Sequence, residues 1–156
     1  MKKRRKKRKK SQQDFDLSSF LPESALSRSI ADIRGYSVES RLTEFATPLV
    51  ERIENLYYDK TLKEFNGEDI ARLLIQEFEP DLIIPLALSR VHKDLDSEGY
   101  AHGHLSELLL KISAKTWSSY PLLWQATCHW VEKHKEELRS RRLRLHILDL
   151  HVEMPY

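Results

Sequence analysis

Cysteine, glycine and long apolar runs are scarce in this chain, and each scarcity removes a class of protein. A single cysteine, Cys128, among 156 residues excludes an intramolecular disulfide framework and is too few for a cysteine-rich zinc site. Set among Trp124, Trp130 and Val131, it is expected to be a small buried hydrophobe. With only 4 glycines, phosphate-cradling loops are hard to build. No P-loop, dinucleotide-binding glycine pattern, G-x-S-x-G or H-E-x-x-H occurs. No apolar stretch approaches the ~18 residues of a membrane span, and the basic start lacks the apolar core of a signal peptide. The expectation is a cytoplasmic protein that is not an enzyme, with no cofactor, no metal, no small-molecule substrate and no membrane span.

What is present is charge, and it is segregated. The formal net charge of +2 conceals a first ten residues with nine Lys or Arg and no acid. Residues 11–110 carry 19 acids against 9 bases, and residues 111–156 carry 8 bases against 5 acids. An acidic body thus lies between basic ends. The block Lys2–Lys10 repels itself and buries nothing, so residues 1–22 are expected to form a disordered basic and polar tail.

Few glycines, many Leu and Glu, and little Val favour helices over a sheet sandwich. Ser29 to Gly35 suggests a helical turn or two ended by the glycine. Thr47-Pro48 is a helix start, with a hydroxyl to cap and a proline that loses no needed N–H. Leu49, Val50, Ile53, Leu56 and Tyr57 then share a face. A second helix should open after Asn66 or Gly67, with Glu68 and Asp69 at the positive end of its dipole. Its apolar stripe is Ile70, Leu73, Leu74 and Phe78, and Pro80 should stop it. The run Leu82–Leu88 predicts a buried helix from about Pro85 to His92, and Asp94–Gly103 a loop. Leu105, Leu108, Leu109 and Ile112 have helical spacing. Pro121 opens the longest candidate helix, expected to reach about Leu138. At the end, Leu143, Leu145 and Ile147 alternate with Arg144 and His146 in a strand-like way, leaving a hairpin arm, an extended tail or a last helix open. The fold class expected is all-α: a compact bundle of about five to seven helices over residues 23–138, followed by a basic segment, 139–156.

In succession, these pieces resemble the immunity proteins of bacterial contact-dependent growth inhibition systems. The resemblance covers Thr47 to Ile112. It is carried by Leu49-Val50-Glu51-Arg52, Thr61-Leu62, Glu68-Asp69-Ile70 to Gln76, Pro85-Leu86-Ala87-Leu88, Gly99 to Gly103 and Leu108-Leu109, with Ser29-Ile30 to Gly35 upstream. Thr61 departs from the proline usual there, and Gly103-His104-Leu105-Ser106-Glu107 from a Gly-Asp-Leu-Leu pattern. The resemblance implies a cytosolic protein that binds one cognate toxin domain, the C-terminal region of a large secreted or surface protein and often a nuclease. Binding would cover the toxin's active site or the surface through which its substrate enters. Nucleases hold phosphates with a positive surface, and an acidic inhibitor associates with such a surface quickly. The candidate partner-facing acids are Glu68, Asp69, Glu77, Glu79, Asp81, Asp94, Asp96 and Glu98. Their plainer alternative is a set of helix caps and solvated loop acids.

Other groupings weigh less. His92, His102, His104 and Glu98 match no metal-ligand spacing. Cys128 and His129 are adjacent on a helix, so they point some 100° apart and cannot readily share a pocket. Trp117, Trp124, Trp130 and Tyr120 are expected in the core, with a partner hot spot as the alternative. The rival function is a helical adaptor tethered to nucleic acid or an anionic membrane by its polybasic arm. That arm has neither the aromatics for base stacking nor an apolar face for insertion, so no nucleic-acid role is expected of it.

Overall fold

The computed structural model describes residues 15–37, 47–101 and 103–150. Nine α-helices lie among the described residues: α1 (Glu23–Leu26), α2 (Ile30–Arg34), α3 (Pro48–Tyr58), α4 (Gly67–Ile75), α5 (Pro80–Lys93), α6 (His104–Leu110), α7 (Ala114–Ser119), α8 (Pro121–Lys133) and α9 (Lys135–Ser140). The all-α class is as expected. The number of helices exceeds the expected range because α1, α2, α7 and α9 are pieces of six residues or fewer. The extended contact among the described residues is an isolated antiparallel bridge between Ser29 and Thr61.

The caps are local, and the residues that signal them make them. Thr47 Oγ1 accepts the Val50 N–H at 3.3 Å, and Pro48 occupies the first helical position of α3. Asn66 and Asp69 form a reciprocal capping box at the start of α4, each side chain accepting the other's backbone N–H (2.9 and 3.1 Å). Ser113 caps α7 through the Thr116 N–H.

Helix α5 is the centre of the core. Leu82 through Leu88 are all buried, with Val91 beyond them, and α4, α6 and α8 pack around it. A helix covered on several sides carries no amphipathic period, and this one begins at Pro80, ahead of the expected Pro85. Pro80 instead opens α5, and Pro85 sits inside it with its ring buried. The lost backbone hydrogen bond would leave Asp81 without its i+4 donor. This lies in the first turn near water, where it costs least.

Two further expectations change. The long helix from Pro121 breaks at His134 into α8 and α9. The alternation at Leu143–Ile147 does not form a strand: the chain makes a 3-10 turn over His146–Asp149 that buries Ile147. Leu143, Leu145 and Leu148 pack partly buried against the core. At the other end Leu21 is buried, and Phe15, Leu17 and Phe20 pack against the core. The packed body therefore includes residues before 23, where the sequence suggested a tail. Residues 1–14 and 151–156, the basic block included, lie outside the described residues, as does His102.

Trp117 and Trp130 are fully buried, in keeping with a core role. Cys128 is half-buried, and burial first, then the charge of Glu132, pushes its thiol up to about 11. His134, at the break between α8 and α9, lies 6.3 Å from the Trp130 ring. Its Nε2 is buried without a hydrogen-bond partner among the described residues. Burial holds its pKa below the ordinary 6.5, Glu137 works against that, and Lys133 adds to it. A depressed folded-state pKa means that the unfolded chain takes up the proton first. Stability is therefore full above about 6.5 and is lost as pH falls through the lowered value. Urea midpoints at about pH 7.5 and about pH 5.5 should fall more for the wild type than for His134→Phe; equal falls would remove His134 as the cause.

Candidate functional site

Most of the eight acids expected to face a partner have hydrogen-bond or ion-pair partners within the protein. Asp69 is buried; besides its capping bond, its carboxylate pairs with Lys60 at 2.8 Å. Glu77 accepts both the N–H and the Oγ–H of Ser113 (2.8 and 2.9 Å), fastening the end of α4 to the start of α7. Arg34 bridges Glu79 at 2.8 Å and Asp81 at 2.5 Å, joining α2 to the first turn of α5. Hydrogen bonding to Asp81 and then to Glu79 outweighs burial and raises the Arg34 pKa, so its charge is permanent. Burial, followed by the charge and hydrogen bond of Glu79, raises the neighbouring Tyr57 phenol. Asp96 takes a two-pronged pair from Arg141 (2.9 and 3.1 Å), which ties α9 to the loop after α5. Asp94 accepts the Asp96 N–H at 2.9 Å within that loop. Glu68 and Glu98 are both exposed and lie on adjacent backbone.

The turn between α4 and α5 shows how these acids are used. Glu77 and Glu79 both have positive φ, 51° and 47°, a region that usually costs a residue with a Cβ roughly 1–2 kcal/mol. Phe78 N–H reaches Leu73 O at 3.0 Å and Glu77 N–H reaches Leu74 O at 2.9 Å, the paired bonds of a Schellman stop. Glutamate stands at the left-handed position where glycine is usual, and its two bonds to Ser113 offset that strain. Helix α4 consequently ends at Ile75, and Phe78, expected on its core stripe, lies beyond it and is 40% exposed.

The geometry does assemble a surface that the acid count did not point to. The loop 94–103 is cross-linked by Ser97 Oγ to Asp94 O (2.6 Å) and Arg90 O (3.0 Å), by the buried Ser106 Oγ to Leu95 O (2.7 Å), and by Gly103 N to Asp96 O (3.1 Å). Two glycines allow it to lie directly on α4. A Cβ at Gly67 would overlap the Glu98 carbonyl oxygen and sit 2.9 Å from its carbon. One at Gly99 would sit 2.7 Å from Ala71 Cβ and 2.8 Å from His104 Nδ1. Tyr100 N–H then donates to His104 Nδ1 at 3.1 Å, and its ring lies 5.6 Å from the Arg72 guanidinium. Tyr100 and Ile75, one turn from Arg72 on the outer side of α4, are about half exposed.

The signals for this surface were small. Ile75 lies off the stripe of Ile70, Leu73 and Leu74, and Tyr100 sits in a glycine-flanked loop. Tyrosine and arginine are residue types enriched at protein contacts, and here a half-exposed tyrosine lies beside an arginine. The described residues contain no group of three or more His, Cys, Asp or Glu able to hold a metal, and no helix among them is long and apolar enough to cross a membrane. A family model described as CDI immunity proteins matches residues 35–126, more than half of the chain, and the chain belongs to that family. No curated protein and no solved structure matches it.

Proposed function

We propose that the protein neutralises one cognate contact-dependent inhibition toxin by stoichiometric binding in the cytosol, covering the toxin's active site or the surface through which its substrate enters. The family match over residues 35–126 carries this reading, and the acidic stretch 11–110 suits a basic toxin such as a nuclease. The part the protein plays is binding, with no catalytic step assigned to it. The toxin is taken to be the variable C-terminal domain of a large secreted or surface protein encoded beside this chain.

Co-expression should restore growth to cells making that toxin domain and to none making unrelated toxins. Failure to rescue by folded, soluble protein would refute the proposal. Deleting residues 2–10 should leave rescue nearly intact. The adaptor alternative expects the deletion to abolish function together with a salt-sensitive affinity for nucleic acid or anionic vesicles.

A further inference from the structure

The chain beyond α8 lies outside the segment that the family model matches. Its described part comprises α9 and a strap, 141–150. The helix that α9 packs against most is α8. Leu138 and Ile147 anchor this part to the core, and Leu143, Leu145 and Leu148 lie partly buried on it. Its ion pair to the body, Arg141 on Asp96, is partly exposed on both sides, a setting in which such a pair contributes little.

The joint between α8 and α9 is His134. The helix gives way there for a single residue (φ −112°, ψ 17°), with neither glycine nor proline to cause it. His134 N–H still donates to Trp130 O at 3.1 Å, and Leu138 N–H to His134 O at 2.9 Å. The joint residue also carries the imidazole whose Nε2 is buried without a hydrogen-bond partner among the described residues. A neutral imidazole can leave that nitrogen unprotonated, at the cost of one unsatisfied acceptor. An imidazolium carries N–H on both nitrogens, and a buried charged donor without an acceptor costs more than a neutral acceptor without a donor.

We infer that His134 is a proton-operated joint, whose protonation frees α9 and the strap from the body while the core around α5 stays folded. The inference is independent of the proposed immunity function. Swinging α9 away gives the imidazolium access to water, which the closed form denies to its Nε2. Influences that favour the closed cation are small. The C-terminal end of α8 attracts it, but the N-terminal end of α9 lies at the same residue and offsets that. The Trp130 ring, 6.3 Å away, stands at the edge of cation–π range. Burial outweighs the pull of Glu137 of α9 toward the cation, and Lys133 of α8 adds to burial; these are the charged groups among the described residues that act on the imidazole.

Amide hydrogen exchange of the full chain, followed by NMR and corrected for the intrinsic effect of pH, reads this opening. The probes are the N–H groups of Leu138 and Leu143, bonded to His134 O and Leu138 O. At about pH 7.5 they should be less protected than Leu88, buried in α5, which marks an opening short of global unfolding. At about pH 5.5 their protection should fall several-fold. The ceiling is about 10-fold, because that pH lies one unit below the ordinary imidazole value of 6.5. His134→Phe should shrink the fall to less than about 2-fold, and His134→Gln serves the same purpose if the larger ring disturbs folding. Protection at Leu138 and Leu143 equal to that at Leu88 would show that only global unfolding exposes them and would overturn the inference. So would a wild type whose protection at the two probes does not fall, or variants in which it falls as far as in the wild type.

Discussion

Replacing Gly67 with alanine is expected to destabilise the fold by about 3 kcal/mol, the upper part of the range for forcing extra volume into a packed site. Helix propensity argues the other way, because alanine is better than glycine inside a helix by roughly 1 kcal/mol. The outcome depends on where the new methyl group goes. It would occupy the space of the Glu98 carbonyl oxygen, with the carbonyl carbon 2.9 Å away, and both are backbone atoms that no rotamer change can move. Either α4 shifts or the 94–103 loop lifts, and the loop is held by Ser97, Ser106 and the Arg141–Asp96 pair. The clash therefore outweighs the propensity gain. Urea unfolding checks the sign directly: a Gly67→Ala chain as stable as the wild type would show that the loop yields cheaply.

Trp130→Ala should cost still more, about 3–5 kcal/mol, the usual penalty for truncating a fully buried tryptophan. The side chain is 0% exposed. Its Nε1 has no hydrogen-bond partner among the described residues, so its contribution is packing and burial rather than polar bonding. Trp130→Phe removes the unpartnered N–H and keeps most of the apolar volume, and should cost markedly less than alanine. Against a total stability of roughly 5–15 kcal/mol, the alanine variant should lower the urea midpoint by about 2 M with an m-value near 2 kcal/mol/M. Leu122→Ala, at a position 64% exposed, should stay within about 0.5 kcal/mol of wild type. Equal losses at the two positions would contradict the placement of the core.

Local chemistry made much of this fold legible. The Thr47-Pro48 and Asn66-Gly67 starts depend on side chains bonding backbone within three residues, so they could be read directly. The stripe Ile70, Leu73, Leu74 follows from helical geometry alone. Phe78 could not be placed the same way, because the turn at Glu77 is left-handed and is held by Ser113, far along the chain. The break at His134 has no glycine or proline to announce it. At Leu143–Ile147 the alternation was genuine, but a period of two implies a strand only when another strand lies alongside.

Of the candidate site, the sequence showed where the negative charge lies and not how it is used. Asp81 and Asp96 meet Arg34 and Arg141 across more than forty residues, and Asp69 is occupied with its cap and Lys60. Such pairings depend on the tertiary fold, and they give these acids partners that a sequence pattern does not show. Glu68 and Glu98 are exposed on adjacent backbone, near the contact of Arg72 with the Tyr100 ring, which a count of acids does not find.

The proposed function requires that this chain bind and silence one toxin. Calorimetric titration of the purified full chain with the toxin domain encoded beside it measures that most directly. The expected result is a one-to-one complex with a nanomolar dissociation constant, about −12 kcal/mol, that abolishes the toxin's activity in the same tube. No heat of binding, or binding that leaves the toxin fully active, would contradict it.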